Sequence, residues 1–374
     1  EYTMPTQVTN YKCPACGGPL QFDSKEQKLK CEYCASFYTP EDIEKLYEGK
    51  NEDAVSVSEK DDGSLTEEKA SYAGINFNSE EASHLKAYGC PSCGAQLICD
   101  ENTAATRCPY CDNPTVVPAQ FSGSLKPDYI IPFKQSKEEA IKALKAFYNG
   151  KPFLPKAFKE HNHVEDIKGV YVPFFLYDGT ADVDAVYDAT RVNVYRQGDD
   201  EITETQHYNL IRRGKVSYDK VPADASSKMK DEFMDAVEPF NYADLVPFQM
   251  SFLPGYLADK YDVTAEENQD RADTRMKNST VSEIRATTVG YSSSFPRKEI
   301  VQIRPEKCHY AFFPVWMLAT RWNGQVYQFA MNGQTGKMIG DDLPLDKKKA
   351  VLTFLALTVL FALIITLILF MRGD

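Results

Sequence analysis

The sequence predicts an α+β protein in which two small cysteine-rich units precede a globular domain and an apolar helix follows it. Three observations lead to this prediction. The stretches 13–34 and 90–111 repeat one four-cysteine pattern, a long region rich in Tyr and Phe follows, and residues 350–371 carry no charge. A hydrophobic fraction of 43% over 374 residues is sufficient for a buried core.

Each cysteine unit contains two Cys-x-x-Cys pairs separated by fourteen residues, and nine of 22 positions agree when the two stretches are aligned without a gap. Two such pairs brought together by a hairpin direct four thiolates at one tetrahedral ion, as in a zinc ribbon. We therefore expect two structural Zn²⁺ ions per chain, in closed sites that activate no water. The predicted ligands are Cys13, Cys16, Cys31 and Cys34 in the first unit, and Cys90, Cys93, Cys108 and Cys111 in the second.

Two other interpretations of the cysteines fit less well. A thioredoxin-like redox pair requires one Cys-x-x-Cys in a βαβ context, and a disulfide framework requires an oxidising compartment. Two further cysteines stand apart from the quartets. Cys99 aligns with Phe22 in the repeat and is predicted to pack in a hairpin, and Cys308, beside His309, is assigned no role.

The first ribbon is predicted over residues 11–40 and the second over 88–115, with an acidic linker at 41–87. The linker carries 13 acidic and 5 basic residues and few apolar ones, a composition typical of solvated chain. We expect the two ribbons to move relative to each other unless a partner orders them. An aromatic-rich α+β domain is predicted over residues 126–346.

This domain has a possible internal duplication of β-hairpins. The first predicted hairpin turns at Asp178-Gly179, between strands at 170–177 and 180–189. The second turns at Asn323-Gly324, between strands at 310–322 and 325–331. If Pro173 corresponds to Pro314, the two hairpins face the same way.

A capped helix is predicted before each hairpin, because Ser136 with Glu139 and Thr264 with Glu267 form S/T-x-x-E boxes. The sequence therefore predicts a domain of two related halves. In the strand after Gly179, alternate residues are predicted to share an inner face: Ala181, Val183, Ala185, Tyr187 and Ala189. The aspartates between them, Asp182, Asp184 and Asp188, are predicted to face solvent.

The segment 350–371 is predicted to be a transmembrane helix. Its 22 residues would span about 33 Å, enough for a hydrocarbon core of about 30 Å. Lys347, Lys348 and Lys349 precede it and only Arg372 follows, so the positive-inside rule places the large N-terminal part in the cytoplasm. We expect a single-pass protein of the cell membrane.

Composition and motifs disfavour two classes of function. A net charge of −12 repels phosphate backbones at long range, which argues against nucleic-acid binding. His161 and His163 fit a solvated loop better than a metal site, and the Gly-Lys of 332–341 lacks the spacing of a phosphate-binding loop. We find no catalytic residues and predict a protein that is not an enzyme.

In their order, these features resemble the TFIIB-type zinc-ribbon membrane proteins of bacteria, the YdjG-like family. The resemblance rests on the tandem four-cysteine units, the second ending CPYCDNP at 108–114, the phrase FAMNGQTGKMIGDDLP at 329–344, and the apolar span. It implies a membrane-stress module, similar to the phage-shock response, that works with an SPFH or flotillin-like partner. The sequence departs from the family where Ala35 and Asp112 replace the usual Gly, so the turn at Ala35 is expected to be looser or different.

Three functional hypotheses follow. The first is a membrane-anchored cytoplasmic adaptor whose tandem ribbons recruit a protein partner to the membrane, two linked modules raising effective concentration. The second is a membrane-tethered zinc-ribbon protein that binds nucleic acid through exposed aromatic side chains. In the third, the aromatic domain binds a lipid or small hydrophobic ligand and the ribbons report its presence.

Overall fold

The computed structural model describes residues 11–48, 74–77, 82, 85–100, 107–113, 117–119, 125–161, 164–229 and 231–372. The α-helices in these ranges are α1 (Pro40–Glu48), α2 (Lys137–Asn149), α3 (Lys156–His161), α4 (Asp231–Val237), α5 (Ala265–Ala286) and α6 (Lys347–Arg372). The strands are β1 (Leu20–Asp23), β2 (Lys28–Cys31), β3 (Phe37–Tyr38), β4 (Ile75–Asn76), β5 (Leu85–Gly89), β6 (Gln96–Asp100), β7 (Val117–Ala119), β8 (Leu125–Lys126), β9 (Tyr129–Ile130), β10 (Lys168–Gln197), β11 (Asp200–Asp224), β12 (Val246–Pro247), β13 (Leu257–Asp259), β14 (Ser293–Trp322), β15 (Gln325–Asn332) and β16 (Met338–Gly340).

An 11-stranded sheet forms the centre of the molecule. Its main path runs β12-β9-β14-β10-β13-β6-β5-β7, with β11 added to β10, and β15 and β16 added in turn to β14. The two central strands, β10 and β14, have 30 residues each and pair antiparallel. Helices and sheet are thus combined in one domain, which confirms the predicted α+β class with its two four-cysteine clusters and its apolar helix.

The sheet has an approximate two-fold axis between its two central strands. Val172 lies opposite Phe313, and the neighbouring pairs place Pro173 and Pro314 at equivalent positions on either side. β9 runs parallel to β14 and is followed by α2, whereas β13 runs parallel to β10 and is followed by α5. Pro173 and Pro314 therefore lie at equivalent positions of two related halves, as the predicted duplication requires, although the first of its two predicted hairpins differs.

Both predicted capping boxes begin these helices. The Ser136 side chain accepts from the N–H of Glu139, whose carboxylate accepts from the N–H of Ser136, and Thr264 and Glu267 do the same at α5. Each box satisfies N–H groups that the first helical turn leaves without partners. The helix starts were thus encoded locally, which is why sequence alone located them.

The turn predicted at Asp178-Gly179 is wrong. β10 continues through these residues to Gln197 with only a β-bulge between Tyr177 and Gly179, and the reversal comes at Gly198, whose φ is 68°. The Asp178 carboxylate accepts from the backbone N–H of Lys220, 2.8 Å away, instead of ending the strand. Because β11 and β14 pair with β10 on both sides, long-range hydrogen bonds override the local turn signal.

The second predicted hairpin is confirmed. β14 and β15 pair antiparallel around Asn323 and Gly324, whose φ angles are 49° and 80°. Positive φ at both central residues is the type I′ geometry that suits the twist of a two-residue hairpin.

The outer halves of β10 and β14, together with β11, form a long three-stranded arm. Its inner face packs against α5, and Ala181, Ala185, Tyr187 and Ala189 lie in one buried cluster with Ile284. Val183 packs against this cluster, so the predicted inner face is confirmed. On the opposite face, Asp182, Asp184 and Asp188 form ion pairs with lysines and arginines of the two flanking strands.

Both cysteine units pack against the aromatic-rich domain. The Phe22 ring of the first unit meets Phe252 edge to face at 5.3 Å, and Gln27 Nε2 donates to the carbonyl of Phe133 at 2.7 Å. In the second unit, β6 pairs directly with β13, placing Ile98 opposite Ala258. The expected free motion of the units is therefore wrong for this arrangement. A unit this small cannot bury its own apolar face, so the rest of the domain covers it.

Part of the predicted acidic linker is ordered against the domain. α1 buries Ile43 completely, and Glu44 accepts hydrogen bonds from the Tyr11 hydroxyl at 2.9 Å and the Ser251 N–H at 3.2 Å. β4 and the first three residues of β5 also lie within the range 41–87, whereas residues 49–73 lie outside the described residues.

Helix α6 stands apart from the folded core. Its segment Lys347–Thr366 has a mean hydropathy of 2.3 with none of it buried, so the helix is long and apolar enough to span a membrane. Asp346 caps its first turn by accepting from the N–H of Lys349 at 3.0 Å.

Candidate metal centres

The first cysteine cluster is assembled from two short turns and the β1–β2 hairpin between them. Cys13 Sγ lies 3.4 Å from Cys34 Sγ, and Cys16 Sγ lies 3.4 Å from Cys31 Sγ. All four sulphur atoms lie within 4.8 Å of one another. Cys13 and Cys31 are buried, whereas Cys16 and Cys34 are exposed, so solvent reaches one side of the cluster.

The second cluster has the same arrangement. Cys90 Sγ lies 3.6 Å from Cys111 Sγ, and Cys93 Sγ lies 3.7 Å from Cys108 Sγ. The Asn113 side-chain amide also donates to Cys90 Sγ at 3.8 Å. Here Cys93 and Cys111 are half-buried, so this cluster is less open to solvent than the first.

Every Cys-x-x-Cys turn is closed by a residue in the left-handed region. These residues follow the second cysteine of each pair, and their φ angles are 71° at Gly17, 55° at Ala35, 73° at Gly94 and 59° at Asp112. The Ala35 N–H donates to the carbonyl of Cys31 at 3.0 Å, as Gly17 does to Cys13. The turn at Ala35 is therefore neither looser nor different, although its Cβ makes this conformation costly.

The donor set suits a metal ion. A tetrahedral site with metal–sulphur bonds of about 2.3 Å places its sulphur atoms about 3.8 Å apart, close to the separations here. A disulfide would require about 2.05 Å, and all eight cysteines are free. The structure thus brings together each predicted quartet, and each cluster could hold one metal ion.

Thiol ionisation in the clusters is uneven. Hydrogen bonding to the Ser36 side chain and backbone lowers the pKa of Cys34 to about 6. In the second cluster, the hydrogen bond between Cys93 and Cys108 lowers the pKa of Cys93 to about 5 and raises that of Cys108. These hydrogen bonds therefore favour the thiolate form of Cys34 in the first cluster and of Cys93 in the second.

The two repeats differ in the burial of a tyrosine that they share. Tyr33 and Tyr110 occupy the same position, but Tyr33 is 77% exposed and Tyr110 only 2%. Phe37, near Tyr33, is also exposed, and Lys30 Nζ lies 5.7 Å from the centre of its ring. The first unit thus presents an aromatic surface that the second unit buries.

The Tyr110 side chain is hydrogen-bonded to a buried carboxylate. The Tyr110 hydroxyl and the Ser226 hydroxyl each donate to Asp259 Oδ2 at 2.6 Å, while Oδ1 has no hydrogen-bond partner among the described residues. Burial raises the pKa of Asp259 to about 7. Sequence reasoning missed this group, although an aspartate closing the apolar strand β13 could have drawn attention to it.

The second unit is also tied to the far side of the sheet. Gln328 Nε2 donates to the carbonyl of Tyr110 at 2.8 Å, and the N–H of Arg321 donates to Asp112 Oδ2 at 3.0 Å. Arg107 pairs with the same Asp112 carboxylate. These bonds hold one wall of the cluster against β14 and β15.

The remaining polar candidates do not join either cluster. Cys99 is buried in the core beside the second cluster, as predicted, and burial raises the pKa of Cys308 to about 12. In the phrase 332–341, Asn332 Oδ1 accepts from two following N–H groups and Gly336 has a φ of 78°, so this is a turn. The side chain of His161, and His163, lie outside the described residues.

These features define a class: an α+β protein with two four-cysteine clusters, each able to hold a metal ion, and a C-terminal helix able to span a membrane. The chain is 33% identical over 333 residues to the "Uncharacterized protein YdjG" of Bacillus subtilis (strain 168), covering 89% of each protein. It therefore belongs to the YdjG family. No family model matches the chain. No solved structure matches it either.

Proposed function

We propose that this chain is a membrane-anchored, non-enzymatic adaptor whose first cysteine unit docks a protein partner. The observation that carries the proposal is the opposite exposure of the repeated tyrosines, Tyr33 in solvent and Tyr110 in the core. Exposed aromatic side chains are enriched in protein interfaces. The second cysteine unit then supports the fold and the first presents a binding surface. This division offers a reason for the repeat.

In this proposal both clusters hold Zn²⁺, as two zinc ribbons of the TFIIB type. Four thiolates at these separations suit zinc, whose structural sites are tetrahedral and closed. Cys13, Cys16, Cys31 and Cys34 would hold one ion and Cys90, Cys93, Cys108 and Cys111 the other. Such an ion cross-links its ribbon and has no open position for water, which supports a structural and not a catalytic role.

The proposed location is the cell membrane, with α6 as a single span and the folded part in the cytoplasm. The three lysines before the apolar segment and the reduced cysteine quartets support this orientation. The resemblance to the zinc-ribbon membrane family suggests an SPFH or flotillin-like partner in a membrane-stress response. Protease added to sealed inverted vesicles should cut within 49–73, and protection there would reverse the proposed orientation.

The docking surface is tested by affinity purification of the tagged full chain from detergent-solubilised membranes, with and without nuclease. We expect a nuclease-resistant SPFH-type protein to be recovered with the native chain and lost with Tyr33→Ser/Phe37→Ser. The matched control is Ile211→Ser/Phe295→Ser, which removes two exposed apolar residues of the arm. Equal recovery with both variants would contradict the proposed surface. Recovery that disappears with nuclease would favour the nucleic-acid alternative.

A further inference from the structure

The base of α6 is fixed to the folded domain by the connection between α2 and α3. The Asp346 N–H donates to the carbonyl of Phe153 at 2.8 Å, and Lys349 Nζ donates to the carbonyl of Pro152 at 2.7 Å. The connection itself is ordered, since the Leu154 N–H donates to the carbonyl of Lys151 at 3.2 Å. Wherever the first turn of α6 lies, residues 151–154 lie beside it.

Four exposed lysines surround this junction. Lys347 and Lys348 begin α6, and Lys151 and Lys156 flank the connection. Among the described residues none of the four has a carboxylate within ion-pair distance, and Lys151 instead lies over the Phe147 ring at 5.3 Å. We call these four residues the basal lysines.

The acidic and apolar neighbours leave the basal lysines available. The Asp346 carboxylate caps α6 through the N–H of Lys349, and Asp341 accepts from the backbone N–H of Gln328, so both are engaged. Leu345, directly before the helix, is 57% exposed. An exposed leucine next to lysines that have no ion-pair partner suits a membrane surface, where anionic headgroups lie over an apolar interior.

We propose that the basal lysines bind anionic lipid headgroups and so hold the folded domain at a fixed tilt on the bilayer. The inference rests on the proposed insertion of α6 in the membrane. If the apolar segment begins to cross at Ala350, the first turn lies at headgroup level, and the bonds to Pro152 and Phe153 keep Lys151 and Lys156 close to the same level. Lysines at this level are attracted to an anionic membrane surface.

The test uses the full chain in nanodiscs of phosphatidylcholine alone or mixed with phosphatidylglycerol. Acetylation of each lysine is followed by mass spectrometry, with exposed Lys28 and Lys307 as internal controls on the first unit and the arm. We expect the basal lysines to react about fivefold more slowly in the anionic discs, an effect removed by high salt, while the controls react equally in both. Equal rates for the basal lysines in the two lipids would overturn the proposal.

A matched pair of variants tests whether the lipid-dependent protection requires Lys151 and Lys156. In Lys151→Gln/Lys156→Gln, amide exchange across 147–160 should no longer slow when phosphatidylglycerol is added. In Lys28→Gln/Lys307→Gln the slowing should remain. Loss of the chain from membranes on carbonate extraction would contradict the proposed anchor, whereas an anchored chain without lipid-dependent protection would contradict only the lipid contact.

Discussion

Tyr110 of the second cysteine unit donates a 2.6 Å hydrogen bond to Asp259 of β13, and both side chains are buried. The bond joins residues between Cys108 and Cys111 to the central sheet. It makes the second unit part of the domain core, whereas the matching residue of the first unit, Tyr33, is left in solvent.

Replacing Tyr110 by Phe should therefore destabilise the domain. The change leaves the buried Asp259 carboxyl with Ser226 as its remaining donor, and an under-satisfied buried polar group costs about 1–3 kcal/mol. Thermal unfolding of the detergent-solubilised chain would show this as a lower Tm. Tyr33→Phe is the matched control, and an equal fall in both variants would contradict the assigned role of Tyr110.

Asp259 should make stability depend on pH. Its pKa is raised to about 7 in the folded chain, above the value of about 4 for an unfolded aspartate. The folded state therefore binds more protons between these values, so this group favours folding at low pH and disfavours it as pH rises through about 7. Relative to Asp259→Asn, the native Tm should fall between pH 5 and pH 8. A constant difference would show that Asp259 does not titrate in this range.

Replacing Ala35 by Gly should stabilise the first unit. Ala35 has a φ of 55°, where its Cβ is strained, and Gly removes this cost of about 1 kcal/mol. Asp112→Gly is the informative comparison. The Asp112 carboxylate accepts from the Arg321 N–H and pairs with the Arg107 side chain, and the glycine variant loses both contacts. Metal retention during urea titration should increase in Ala35→Gly and not in Asp112→Gly. A loss of retention in Ala35→Gly would mean that the alanine methyl group contributes packing that outweighs its strain.

The two clusters should lose metal at different rates. Cys16 and Cys34 are exposed, whereas Cys93 and Cys111 are half-buried within a unit that is paired to the main sheet. A chelator with a chromogenic readout should release one ion quickly and one slowly from the zinc-loaded chain. Cys16→Ser should remove the fast phase and Cys93→Ser the slow phase; a single phase in the native chain would contradict this order.

Local signals in the sequence predicted much of the fold. The cysteine spacing located both clusters, and the boxes at Ser136 and Thr264 located the starts of two helices, because these structures depend on residues a few positions apart. The turn at Asp178-Gly179 was predicted by the same reasoning and is absent, since pairing with β11 and β14 carries β10 past it.

The different environments of the two units could not be predicted from the repeat. Tyr33 and Tyr110 are the same residue in the same local pattern, and only distant residues separate them. Tyr110 donates to Asp259, which also accepts from Ser226. Both residues lie more than a hundred positions further along the chain. The alignment that shows the repeat of the cysteine units therefore does not show their different burial.

The proposed docking role of the first unit is tested most directly by comparing Tyr33→Ala with Tyr110→Ala in the full chain, measuring Tm and recovery of the protein partner for each. Removing a buried aromatic side chain costs about 3–5 kcal/mol, so Tyr110→Ala should lower Tm strongly. Tyr33→Ala should keep the native Tm and lose the partner. If Tyr33→Ala keeps both its Tm and its partner, the first unit is not the docking surface.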